Sequence, residues 1–316
     1  MAVKLLVTFR ADDDDMSRLQ SLSDALVIAR SESREQAMEL VRDAEIVFAG
    51  HFSDELWKNA PRLKWVQSGG AGIERFMTPD FIASPIVLTN AAGVYAIPIA
   101  DHVVAFVLHF SRCFNRLVRN QIEHRWDEDR EPDELMGKTL GIVGLGGIGS
   151  EVARRAKAFG MYVIATRRRP EMPSGFADEV RGSDELGWLL AESDYVALCS
   201  ALTQNTRKLI GEEELRKMRP TSYLMNIGRG GLIDEPALIA ALQESRIAGA
   251  GLDVFAEEPL PTDSPLWDMP NVLVTPHSSG SSPKSHQRLM DLFCANVRRY
   301  LAGEELVNVV DKGEGY

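Results

Sequence analysis

A chain of 316 residues that is 45% hydrophobic and 26% charged is long enough to bury two cores, and no apolar run in it reaches bilayer-spanning length. Its 35 basic and 46 acidic residues leave a net charge of -11, which repels phosphodiester backbones and anionic lipid, so neither nucleic acid nor a membrane is expected as a partner. Cys113, Cys199 and Cys294 are far apart and lack CxxC spacing; this sets aside a disulfide framework and a zinc site, leaves no metal expected, and favours a reducing, cytoplasmic setting.

Residues 1–6 enter an apolar strand pattern without the basic start of a secretory leader, so none is expected. Apolar runs at 4–9, 25–29, 46–49, 63–67 and 86–89 alternate with polar, helix-like stretches such as 33–41, the rhythm of a parallel β-α-β sheet. The four carboxylates of 12–15 lack the spaced ligands and sharp turn of a calcium loop and read as a solvated loop. From 99 to 110 the apolar pattern is too long for a strand; with the polar stretch 115–134 it predicts a long buried helix linking two domains, in which His102 reads as structural. A second strand series follows at 139–145, 162–166, 195–199, 222–227, 249–254 and 272–274, which makes a second α/β sheet. Residues 285–301 have helical periodicity, with Leu289, Leu292, Phe293 and Val297 on one face, and are expected to return the chain to the first domain.

Gly144-Leu145-Gly146-Gly147-Ile148-Gly149 is a GxGxxG element placed after a strand and before a helix. In that setting the first glycine permits a tight turn, the second lets the backbone approach a pyrophosphate, and the third lets helix and strand pack closely. The free N–H groups of the helix start then face the anion. An acidic residue at the end of the next strand would bind the ribose 2′-hydroxyl of NAD, but here the chain reads Thr166-Arg167-Arg168-Arg169. Guanidinium groups bind a 2′-phosphate with charge-assisted hydrogen bonds, so NADP(H) is expected over NAD(H).

Three later segments, each at the C-terminal end of an expected strand, carry an arginine, a carboxylate and an imidazole: Arg229 in Asn226-Ile227-Gly228-Arg229-Gly230-Gly231, Glu258 before Pro259, and His277 after Thr275-Pro276. Reduction of a 2-keto acid calls for these groups: a cation for the carboxylate, a proton donor for the carbonyl oxygen, and a partner that holds the donor in place. A carboxylate beside an imidazole favours the protonated ring.

With these four segments in this order, the sequence resembles the D-isomer-specific 2-hydroxyacid dehydrogenase family over nearly its whole length, most clearly at 140–149, 226–234, 249–261 and 271–280. The resemblance implies an α/β protein with two doubly wound parallel-sheet domains. A Rossmann-type nucleotide-binding domain (101–286) would be inserted into a flavodoxin-like substrate-binding domain (1–100 and 287–316). It implies hydride transfer between nicotinamide C4 and C2 of a small 2-keto or 2-hydroxy acid, glyoxylate or hydroxypyruvate being the pattern. The arginine of the family's ARGG motif, Arg229, would hold the substrate carboxylate; the histidine of TPH, His277, would be the acid/base; the glutamate of DVFxxEP, Glu258, would support it.

By the same resemblance Gly144, Gly146, Gly147, Ile148, Gly149, Arg167, Arg168, Thr206, Ile227 and Asp253 would line the cofactor, Asp253 at the carboxamide. Gly70, Ala71 and Gly72 would offer amides to the substrate carboxylate. A homodimer with the linking helices at its interface is implied as well. The sequence departs from the family at Arg167, usually Asp; at Ala201, usually the proline of a Pro-Leu-Thr turn; and at Gly228, usually alanine, an exchange expected to loosen the turn before Arg229. Two alternatives stand beside this reading: a D-3-phosphoglycerate dehydrogenase, for which Arg62, Lys64 and Arg75 are available cations, and a non-catalytic dinucleotide-sensing corepressor-like protein, against which the acidic charge and the lack of a long tail after Leu301 weigh.

Overall fold

The computed structural model describes residues 2–50, 52–126, 128 and 132–315. The chain forms two compact units, Met1–Tyr95 with Ser282–Tyr316, and Ala96–Ser281. Each division falls a few residues ahead of the expected boundaries at 100/101 and 286/287, because helices starting at Ala96 and Pro283 each go to one unit whole.

In the first unit β1 (Val3–Val7), α1 (Asp13–Gln20), β2 (Leu26–Arg30), α2 (Arg34–Leu40), β3 (Ile46–Ala49), α3 (Asp54–Lys58), β4 (Trp65–Ser68), α4 (Pro79–Ala83) and β5 (Val87–Thr89) build a parallel sheet of order β2-β1-β3-β4-β5. This is the flavodoxin-like winding. Both faces are covered, which is why the strands read as continuous apolar runs. Leu6, Val47, Val66 and Leu88 pack with Phe76 and Phe81 on one side, and Leu5, Val7, Ile46, Phe48 and Trp65 pack on the other. The acidic run 12–15 is not a loop. Asp12 caps α1, Asp15 N–H donates to Asp12 Oδ1 at 2.8 Å and Asp12 N–H to Asp15 Oδ2 at 3.1 Å. The carboxylates thus satisfy helix N–H groups and meet the positive end of the dipole.

The second unit begins with α5 (Ala96–Ser111), whose Ile99, Val103, Phe106, Val107 and Phe110 are buried. The expected single helix is two: Cys113 takes a left-handed φ of 58°, and α6 (Phe114–Ile122) leaves at 71° to α5. Among the described residues no single helix is long and apolar enough to cross a membrane; α5 and α6 reach that length only as this bent pair. There follow β6 (Thr139–Val143), α7 (Gly147–Ala158), β7 (Tyr162–Thr166), β8 (Glu179–Arg181), α8 (Leu186–Glu192), β9 (Tyr195–Leu198), α9 (Glu212–Lys217), β10 (Tyr223–Asn226), α10 (Glu235–Gln243), β11 (Gly249–Leu252) and β12 (Val272–Val274). The sheet order β12-β11-β10-β9-β6-β7-β8, all parallel, is the Rossmann arrangement. Because every strand runs the same way, all carboxyl ends share one edge, and the winding reverses between β6 and β9.

α11 (Pro283–Ala302) returns to the first unit as expected. Its Leu289, Met290, Phe293, Cys294 and Val297 complete the core against Leu5, Phe48 and Trp65, with Phe293 stacked on Phe48 at 4.1 Å. Burying a side chain of this size is worth roughly 2–3 kcal/mol.

Candidate active site

The turn from β6 into α7 is shaped by missing side chains. Gly144 has φ +99°, and a Cβ there would stand 2.9 Å from the Ser200 backbone. A Cβ on Gly149 would stand 2.4 Å from Gly144 O, so hydrogen alone lets the helix approach the strand. Gly146, the N-cap of α7, has nothing within 4 Å of where its Cβ would be. Open space thus lies over the first-turn N–H groups, where Gly147 and Ile148 begin the helix, and this fits a dinucleotide pyrophosphate.

Other expected cofactor residues sit on the same edge. Ile227 is buried beyond β10. Thr206 Oγ donates to Ala201 O at 2.7 Å and accepts Thr203 N–H at 2.7 Å, bracing the turn after β9 that lacks the family's proline. The Arg167 guanidinium donates to the carbonyls of Met172 and Pro173 and so folds back on its own turn, whereas Arg168 is exposed.

Glu258 and His277 meet. His277 Nδ1 lies 2.7 Å from Glu258 Oε2, and Glu258 Oε1 accepts Phe255 N–H at 3.0 Å. With Nδ1–H donating to the carboxylate, the half-exposed imidazole keeps Nε2 for another partner. Arg229 stands on the neighbouring turn. Asn226, buried at the end of β10, donates from Nδ2 to Arg229 O at 2.9 Å and accepts Gly228 N–H at 3.1 Å. A Cβ on Gly228 would stand 2.9 Å from Ser200 O and 2.7 Å from Leu232 Cδ1; glycine here permits close packing and does not loosen the turn. Gly230 lies directly on Phe255, with no room for a Cβ, so the arginine turn and the glutamate loop are in backbone contact.

Asp253 is fully buried and its oxygens are occupied: Oδ1 accepts Thr275 Oγ–H at 2.6 Å and Ser278 N–H at 2.9 Å, and Oδ2 accepts Ser279 N–H at 3.0 Å. It organises the histidine loop.

In the first unit, the 69–72 loop follows β4. Tyr95 Oη donates to Gly69 O at 2.6 Å, Gly70 N–H donates to Ser68 Oγ at 3.2 Å, and Asn90 Nδ2 donates to Ala71 O at 3.0 Å. Among the described residues no acceptor takes the amides of Ala71 and Gly72. Arg75 donates to the carbonyls of Gly50 at 2.6 Å and Ala49 at 3.3 Å, and Lys64 pairs with Glu45 at 3.2 Å, so both cations have local partners.

Sequence reasoning missed Asn226 and Glu235. Glu235 Oε2 accepts Ala256 N–H at 3.0 Å, which ties α10 to the loop bearing Glu258. The only signal for either was adjacency to a motif.

Residues 104–279 match the family profile described as D-isomer specific 2-hydroxyacid dehydrogenase, NAD binding domain. The chain is 32% identical over 315 residues to a D-3-phosphoglycerate dehydrogenase of Methanocaldococcus jannaschii, covering 98% of this chain but 59% of that protein, so it spans less than two thirds of that relative. It is 34% identical over 298 residues to a glyoxylate reductase of Korarchaeum cryptofilum, covering 89% and 86%. The crystal structure of a D-isomer specific 2-hydroxyacid dehydrogenase from Xanthobacter autotrophicus, in complex with NADPH and MES, superposes with a TM-score of 0.87 at 29% identity, over 100% of both chains.

Proposed function

The chain belongs to the D-isomer specific 2-hydroxyacid dehydrogenases, oxidoreductases acting on CH–OH groups, and from that premise we propose that it transfers hydride between NADP(H) and C2 of a small 2-keto acid of the glyoxylate or hydroxypyruvate kind. The observation that carries the reading is the 2.7 Å contact of His277 Nδ1 with Glu258, on a loop in backbone contact with the Arg229 turn.

A dinucleotide, when bound, would supply the hydride. Gly144, Gly146, Gly147, Ile148 and Gly149 would hold its pyrophosphate, with Ile227 and Thr206 beside the cofactor. Arg229 would grip the substrate carboxylate and polarise the carbonyl. His277 Nε2 would give its proton to the carbonyl oxygen as negative charge develops there, while Glu258 holds the ring. The preference for NADP(H) is supported by Arg167 and Arg168 at the end of β7, where a carboxylate would repel a 2′-phosphate.

For the phosphorylated alternative, Arg75 and Lys64 are engaged with backbone carbonyls and Glu45 while Arg62 is exposed, so a phosphorylated acid belongs in the test. A homodimer is supported by Phe114, Val118 and Ile122, exposed at four-residue spacing on α6, followed by Trp126 at 89% exposure. The wide spacing of Cys113, Cys199 and Cys294 supports a reducing, cytoplasmic setting.

The test is an activity panel of glyoxylate, hydroxypyruvate, pyruvate, 2-ketobutyrate, phenylpyruvate and 3-phosphohydroxypyruvate with NADPH and NADH. Turnover of the small acids with higher kcat/KM for NADPH is the expected result. Cofactor binding without turnover of any acid would favour the sensor alternative. Ile122→Asp tests the dimer by sedimentation, with dissociation to monomer expected.

A further inference from the structure

We propose that His102, on α5, is a positioning residue for the acid/base His277, acting through the hydroxyl of Thr275 and the buried carboxylate of Asp253. This rests on the reading of His277 as the proton donor. His277 has φ +47°, a left-handed backbone that is costly for a residue with a Cβ and persists only when its surroundings over-determine it.

Asp253 does the determining. Its carbonyl accepts His277 N–H at 2.8 Å, and its carboxylate accepts the Thr275 hydroxyl and the N–H groups of Ser278 and Ser279, so donors on both sides of the histidine converge on one residue. Among those donors Thr275 supplies the only side chain, and its hydroxyl is itself held: His102 Nε2 lies 3.0 Å from Thr275 Oγ. The direction of that bond follows from its neighbour. A carboxylate without a proton accepts only, so the Thr275 proton points to Asp253, and Nε2 of His102 must carry the proton that Thr275 Oγ accepts.

The imidazole is held in turn. Phe106, one helical turn on, meets it edge to face at 4.6 Å and 82°. That ring occupies the space left by Gly251 in β11, where a Cβ would stand 2.7 Å from it. Gly251 lies two residues before Asp253, which follows β11, and the glycine that admits Phe106 also brings α5 close enough for His102 to reach the Thr275-Pro276-His277 loop. Burial lowers the His102 pKa, opposed by the nearby Asp253 charge, consistent with a neutral ring whose single proton is on Nε2.

The test compares His102→Leu and His102→Gln in the full chain, with NADPH and whichever of glyoxylate or hydroxypyruvate turns over faster. Leucine fills the site without a donor; the glutamine amide nitrogen reaches the place of Nε2. For the leucine variant kcat is expected to fall between about 10-fold and 100-fold, as for a reacting group displaced by about an ångström. KM for the keto acid and Kd for NADPH should stay within about twofold, the pattern of a loss confined to the transition state. Glutamine should recover most of kcat.

Thr275→Val should reproduce the leucine loss and Thr275→Ser should not; this pair decides the matter if His102→Leu fails to fold. The double variant His102→Leu/Thr275→Val should be no slower than Thr275→Val alone, because one path connects both residues to His277. Wild-type kcat in His102→Leu, a loss that glutamine does not recover, or additive losses in the double variant would each overturn the proposal. His277→Gln separates the two levels: if it keeps wild-type kcat, the acid/base reading itself falls, whereas an inactive His277→Gln beside a fully active His102→Leu removes only the role of His102.

Discussion

Two loops on one edge of the second unit's sheet do opposite things with their side chains. The turn of Gly144 to Gly149 makes a seat by omitting atoms: Gly149 makes room for Gly144 O, Gly144 for the backbone of Ser200, and Gly146 leaves space open. The loop that bears His277 is built by adding them, with partners drawn from α5, from the end of β11 and from the Glu258 segment. A site made of absences is compact in sequence and fails locally when altered. A site wired by side chains is dispersed, and its parts can be loosened one at a time.

The largest effect separating the two belongs to Arg229. Arg229→Gln should lower kcat/KM for the keto acid by about 10²- to 10³-fold, the cost of removing one partner of a desolvated charge pair, with NADPH affinity unchanged in a binding titration. The glycine turn should split by position. Gly146→Ala should retain the wild-type melting temperature and weaken NADPH binding by about tenfold or more, because its Cβ would enter ligand space only. Gly149→Ala should lose about 1–3 kcal/mol of stability in denaturant unfolding, because its Cβ meets rigid backbone. Equal behaviour of the two variants would break the distinction. The smallest effect is expected at Glu235, where alanine leaves Ala256 N–H without its acceptor: about 1 kcal/mol of stability and a few-fold in kcat.

The same contrast explains what the amino-acid sequence disclosed. β3, β7 and β12 begin and end where their apolar runs do; in β3 every residue is buried, so no polar residue blurs the edge. β8 gave no signal, since Glu179-Val180-Arg181 is a half-exposed edge strand with one apolar residue. The break at Cys113 was invisible because nothing in the composition of 111–114 demands a left-handed residue. Asp12 to Asp15 looked like a loop because charge density was weighed ahead of the capping pattern Asp-x-x-Asp. In the site, the tight turn at Gly144 and the close packing at Gly149 were legible from the motif, and the pairing of Glu258 with His277 followed from family resemblance. His102 was not legible: it lies 173 residues from Thr275 in the chain, and a histidine inside an apolar helix has no sequence feature that says what its ring touches.

The central claim is that His277 donates the proton that accompanies hydride transfer. A single-turnover measurement of NADPH oxidation by saturating keto acid in His277→Gln tests it most directly, with cofactor affinity and melting temperature recorded on the same preparation. A rate lower by about 10²- to 10⁴-fold, at unchanged NADPH affinity, is the expected result. A His277→Gln enzyme that oxidises NADPH at the wild-type rate would contradict it.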